Sequence, residues 1–117
     1  MIYEIAQLPV RGEKIATFRS AFAKVAPLLI RARGYDGHVL AQGIETPEQF
    51  NLIVRWQSLE DHTPGFEASE DHRIFMMGLE EYFSDEPKVY HIEGDTCTPD
   101  GRHDSSGNFS FGIASAP

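Results

Sequence analysis

Three histidines, His62, His72 and His91, fall in the stretch from Trp56 to Glu93, which otherwise reads as a strand end, an interrupted helix and a last strand. An imidazole has an unperturbed pKa of about 6.5, so it can take up a proton near neutrality and serve as a general base. His72 lies in the first turn of a helix that Ser69 opens, where the helix dipole disfavours the charged ring and keeps a neutral acceptor. It shares the apolar face of Phe75, Met76 and Leu79, although a half-buried histidine at a helix start has the same signature. His62 follows Asp61 and precedes the Pro64-Gly65 break, a position at a cleft mouth or one bonded to loop backbone. His91 alternates with Tyr90 and Ile92 in a strand and therefore faces away from them, toward a pocket or toward a seam between subunits.

Around these imidazoles stand side chains able to hold an aromatic molecule. Trp56, Phe66 and Phe75 would stack on one or simply pack the core. Arg55 and Arg73 could bind a phenolate or carboxylate, or could form solvated ion pairs. His38, in the second strand, has no motif support, and Cys97 lies in a polar tail with no base beside it in sequence. No His-Glu-x-x-His or Cys-x-x-Cys spacing occurs, so no metal site is expected, and neither a glycine-rich phosphate loop nor a serine-nucleophile elbow is present.

The elements that must position these groups follow from periodicity. Residues 2 to 8 alternate partly and stop at Pro9, as a strand of mixed burial would. From Glu13 to Arg33 the apolar residues Ile15, Phe18, Phe22, Val25 and Leu29 recur at helical steps. Gly34 closes this helix, and Pro27 predicts a kink or early break within it. Strands are predicted over about Gly37 to Glu45 and over Gln49 to Trp56, joined as a hairpin by Thr46-Pro47-Glu48. Ser58 and Ser69 read as helix caps, Phe75, Leu79 and Phe83 continue a helical face, and Val89 to Glu93 forms the last strand.

The order strand, helix, strand, strand, helix, strand predicts an α+β, ferredoxin-like βαββαβ domain over residues 1–93, with both helices on one face of an antiparallel sheet. Strands carrying Ile53, Val54, Val89 and Ile92 have apolar groups on both faces, so a second copy of the chain is expected to cover the open side. Residues 94–117 form a polar tail in which Phe109, Phe111 and Ile113 alternate, either a short edge strand or a frayed terminus.

Composition narrows the partners. A chain of 117 residues supports one core. A net charge of −8 with scattered Lys and Arg disfavours nucleic acid and anionic membrane surfaces. The lone cysteine, the lack of a signal-like start and the lack of a long apolar run predict a soluble, cytoplasmic protein.

The residues from Trp56 onward carry a resemblance. Trp56 and Ser58 closing the third strand, Asp61-His62, Gly65-Phe66, Ser69, His72-Arg73, Phe75, Leu79, and Pro87 through His91 together resemble the antibiotic biosynthesis monooxygenase family of dimeric α+β barrels. The resemblance spans roughly residues 1 to 93. It implies a homodimer with a pocket between sheet and helices in each subunit. Some members of this family oxidise phenolic or quinol-like polyketides with dioxygen and neither metal nor flavin, whereas others degrade heme. The heme-degrading branch carries Asn on the first strand and Trp and His on the second helix. Here the first strand offers Gln7, and Trp56 sits at a strand end, which speaks against heme.

Dioxygen reacts slowly with closed-shell molecules, so a cofactor-free oxygenase must first make an electron-rich anion, and that requires a base. The reading is therefore a monooxygenase acting on a small aromatic, quinol or polyketide-like substrate, with His62 or His72 as base and Arg55, Trp56, Phe66, Phe75 and His91 around the substrate. Two rival readings are a non-catalytic small-ligand-binding protein and an isomerase or decarboxylase on the same fold.

Overall fold

The computed structural model describes residues 1–95. Its strands are β1 (Ile2–Pro9), β2 (Tyr35–Gln42), β3 (Gln49–Trp56) and β4 (Lys88–Glu93), and its helices are α1 (Ile15–Ile30) and α2 (Glu70–Met77). The possible strand around Phe109–Ile113 and the position of Cys97 lie outside the described residues.

The strands form one antiparallel sheet in the order β2-β3-β1-β4. Central β1 and β3 alternate cleanly on one face: Glu4, Ala6 and Leu8 from β1 and Phe50, Leu52, Val54 and Trp56 from β3 are all buried. This face packs against Phe18, Phe22 and Leu29 of α1 and Phe75 of α2, with Leu79 and Phe83 beyond α2 completing one core. Each fully buried aromatic, Phe18 and Phe50 among them, removes enough apolar surface from water to contribute about 2–3 kcal/mol. The fold is thus the expected α+β, ferredoxin-like arrangement with both helices on one side.

Local details depart from the sequence reading. The second helix stops at Met77, and a short 3-10 turn, Glu80–Tyr82, with an extended Phe83 carries Leu79 and Phe83 into the core in place of a continued helix. Helix α1 runs through Pro27 and ends three residues later, at Ile30, with Gly34 at a left-handed φ of 81° turning the chain into β2. β2 begins at Tyr35 rather than near Gly37, because an irregular pairing between Tyr35 and His38 against β3 accommodates Asp36 and Gly37. It stops at Gln42, where Gly43 N–H bonds the Gln49 carbonyl at 2.7 Å and closes the hairpin early.

Antiparallel partners share a face, so the register sets out one transverse row on the helix side: His38 opposite Val54, Val54 opposite Glu4, and Glu4 opposite His91. On the other side Tyr90 and Ile92 of β4 are about half exposed. Among the described residues no helix is long and apolar enough to cross a membrane.

Candidate active site

Between β3 and α2 the chain makes a tight excursion. Ser58 Oγ accepts the Asp61 N–H at 3.2 Å, Thr63 is extended, and Gly65 sits so close to Glu60 that a Cβ there would lie 2.7 Å from its carbonyl oxygen. The excursion drives two side chains inward, His62 at 2% exposure and Phe66 at 7%. Ser69 then caps α2, its Oγ accepting the His72 N–H at 3.1 Å, as its sequence position predicts.

Between sheet and helices lies a cavity of about 320 Å³, at the small end of the range for small-molecule sites. Ala6, Leu8 and Leu52 floor it, Phe75, Met76 and Leu79 face them, and its polar groups include Glu4, His62, Glu67 and His72. His72 meets the edge of Phe66, with ring centroids 5.3 Å apart. Among the described residues its imidazole nitrogens take no hydrogen bond, which leaves them open to a ligand. Burial lowers its pKa, partly countered by the Glu67 carboxylate, so the ring is a neutral acceptor at pH 7.

His62 is differently placed. Its Nδ1 lies 2.7 Å from His91 Nε2, its Nε2 lies 3.2 Å from Glu4 Oε1, and its ring stacks on Trp56 at 5.3 Å between centroids. Trp56 Nε1 donates to the same Glu4 oxygen at 3.0 Å. Where Glu4 accepts through Oε1, as a carboxylate or as the carbonyl oxygen of the acid, His62 presents Nε2–H to it and Nδ1 accepts from His91 Nε2–H. In that tautomer the chain of donors runs from His91 to His62 to Glu4, with Trp56 joining at the end.

This contact is not a conventional ion pair. Burial is the main reason that Glu4 is raised to about 7; the Trp56 hydrogen bond works against that rise, and nearby Glu67 adds to it. Burial likewise takes His62 down to about 4, reinforced by His91 and His72 and opposed by Glu67. In so dry a place both partners favour their neutral forms.

Of the residues singled out in sequence, His62, His72, Phe66 and Phe75 line the cavity. His91 joins through His62, and Trp56 buttresses His62 from behind. Arg55 points to the opposite face of the sheet, since β3 alternates, and its Nε lies 3.3 Å from Asp36 Oδ2. Arg73 is held on the exposed surface by Glu70. Glu4 and Glu67 were not anticipated. The signal for Glu4 was its parity with Ile2, Ala6 and Leu8, a carboxyl on the apolar side of a strand; nothing local marked Glu67. Among the described residues no group of three or more His, Cys, Asp or Glu is arranged to hold a metal ion.

The split βαβ sheet and its dry, imidazole-bearing cavity define a small α+β protein built around a pocket. The model of the antibiotic biosynthesis monooxygenase family matches residues 1–77, and the chain belongs to that family. It is 31% identical over 93 residues to the uncharacterized protein YczJ of Bacillus subtilis (strain 168), spanning 80% of this chain and 98% of that one. A crystal structure from Bordetella bronchiseptica that bears the family's name is 33% identical with a TM-score of 0.76, covering 80% of this chain and 95% of its own. SnoaB of Streptomyces nogalater, a cofactor-independent oxygenase solved as a variant, shares the fold with a TM-score of 0.70 at 17% identity, covering 84% and 96% of the two chains.

Proposed function

We propose that this protein is a cofactor-independent monooxygenase that oxidises a small aromatic phenol, quinol or polyketide-like molecule with dioxygen, using an active-site histidine as base. The observation that carries the reading is His72: a neutral imidazole whose ring nitrogens take no hydrogen bond among the described residues, on an apolar cavity walled by Phe66 and Phe75. His62, the other candidate base, has Nδ1 bonded to His91 and Nε2 close against Glu4, so His72 is better placed to meet a substrate hydroxyl.

The chemistry balances without an external reductant. His72 takes the phenolic proton, the resulting anion passes one electron to dioxygen, and the radical pair joins at a ring carbon as a peroxide anion, which takes the proton back from His72 to give a hydroperoxide and regenerate the base. Loss of water then leaves a carbonyl, so one oxygen atom enters the quinone product and the other becomes water. A dry cavity protects the anion and the radical pair from competing protonation. Its size suits a substrate of a few fused rings at most.

The protein acts as a homodimer in this reading, supported by the half-exposed Tyr90 and Ile92 on the sheet face away from the helices. A cytoplasmic setting agrees with the charge and the scarcity of cysteine.

The test is oxygen uptake on a panel of naphthols and dihydroxynaphthalenes, with labelled dioxygen to follow the atoms. His72→Ala should lower kcat at least about a hundredfold, with one labelled atom in the wild-type product. Undiminished uptake in both His72→Ala and His62→Ala would remove histidine as base. Turnover that persists without oxygen would instead indicate isomerisation or decarboxylation, and saturable binding without turnover would indicate a carrier.

A further inference from the structure

The hydrogen bonds around Glu4 are one-sided. Oε1 accepts the Trp56 indole N–H at 3.0 Å and lies 3.2 Å from His62 Nε2, whereas among the described residues Oε2 has neither contact. The side chain is 7% exposed and lines the cavity. Oε1 can receive the same two donors whether it belongs to a carboxylate or is the carbonyl oxygen of a carboxylic acid. A proton can therefore come and go at Oε2 without disturbing the chain from His91 through His62. The network fixes the carboxyl in one orientation and leaves a single oxygen for exchange.

We propose that Glu4 is the general acid of this site, delivering a proton from Oε2 to the departing oxygen of the hydroperoxide, and that His62, His91 and Trp56 are positioning residues for it. The inference rests on the oxygenase reading above. In this step the ring C–H proton passes to the base, the O–O bond breaks, and the electron pair of the C–H bond becomes part of the new carbonyl. The leaving hydroxide takes the Glu4 proton and departs as water. Glu4 is left as a carboxylate and is reprotonated before the next turnover.

The protonation states required are those that burial favours: a carboxyl raised to about 7, still substantially protonated near neutrality, in the same cavity as a histidine whose pKa burial lowers. The ionisable groups that bear on Glu4 are His62 and Glu67 from the excursion before α2, His72 from α2, His91 from β4, and Glu86 just before β4 at the cavity wall; α1 and β3 present apolar Leu29 and Leu52 there. Among the described residues no lysine or arginine lines the cavity to hold Glu4 ionised.

Glu4→Gln preserves an oxygen to receive Trp56 and His62 but has no proton to give. Its kcat on the naphthol panel should fall about a hundredfold or more, with KM little changed and with loss of the fall in rate that the wild type shows as pH rises through 7. A separate reading needs no substrate: infrared difference spectra of the wild-type protein between pH 5.5 and 8 should contain a protonated carboxyl band that is absent from Glu4→Gln. Trp56→Phe, which removes one donor from Oε1, should move both the band's midpoint and the rate profile to higher pH, and it serves if Glu4→Gln fails to fold. A wild-type pH profile in Glu4→Gln, or a Glu4 already ionised at pH 6, would overturn the assignment. If the wild-type protein oxidises none of the panel while the carboxyl band titrates near 7, the oxygenase reading fails and the proton-holding site stands.

Discussion

His62 Nδ1 and His91 Nε2 lie 2.7 Å apart, joining the excursion before α2 to the last strand of the sheet. The pair couples the tautomers of the two rings, because one nitrogen of the contact must donate and the other accept. Replacing His62 by Ala strips Glu4 and His91 of a partner in a dry region and should destabilise the protein by about 1–3 kcal/mol. Replacing His91, which is only half-buried, should cost less. Urea unfolding of both variants and the double variant would measure the coupling, and purely additive losses would show that the two rings do not act together.

Glu4 and His62 push stability in opposite directions with pH. The raised carboxyl stabilises the fold fully below about 4.5, and that contribution, of the order of 3 kcal/mol, is lost as pH rises through 7. The depressed imidazole contributes stability above about 6.5 that is lost as pH falls through 4. Between these limits the terms offset one another, so the wild type should show little slope from pH 4.5 to 6.5. Glu4→Gln removes only the first term, and its melting temperature should fall steadily as pH drops below 6.5. Parallel profiles for the two proteins would contradict this balance.

Ser69 holds the start of α2, and with it the backbone of His72. Ser69→Ala should cost about 1 kcal/mol. Because the catalytic assignment places His72 in the first turn, the same change should lower kcat more than it raises KM, while Ser69→Thr or Ser69→Asp restores both. A variant that loses stability without any kinetic effect would detach the cap from the chemistry.

Gly34 occupies a left-handed conformation, and a Cβ there would overlap the Asp61 carboxyl group. Gly34→Ala therefore meets both backbone strain and a steric clash. It should destabilise by more than about 1 kcal/mol, read by chemical denaturation. It should also disturb the excursion carrying His62, since Asp61 is the residue pushed aside.

If the sheet face bearing Tyr90 and Ile92 meets a second copy, a charge there should weaken assembly. Ile92→Asp should raise the dimer dissociation constant at least about tenfold in sedimentation equilibrium, with the circular dichroism of the fold unchanged. A wild-type protein that sediments as a monomer at all concentrations would exclude the arrangement.

Local signals made much of the architecture legible from the residues alone. β3 spans Gln49–Trp56 as its run of strand formers predicts, and Ser58 and Ser69 bond the backbone their spacing assigns to them. Tyr90, His91 and Ile92 alternate as a strand demands. What escaped was set by contacts distant in sequence. Glu4 becomes a site residue only because the register puts it opposite His91 and under Trp56. Arg55 beside Trp56 looked like part of the pocket wall, yet strand alternation sends the two side chains to opposite faces. The start of β2 was hidden by the irregular Tyr35–His38 pairing, which no periodicity marks.

Trp56 is the only tryptophan in the chain, and it both donates to Glu4 and stacks on His62. Intrinsic fluorescence therefore comes from one indole embedded in the site, free of background from any other. Its intensity and emission maximum should follow ionisation of the carboxyl and entry of an aromatic guest, so the unlabelled protein carries its own optical gauge for screening compounds.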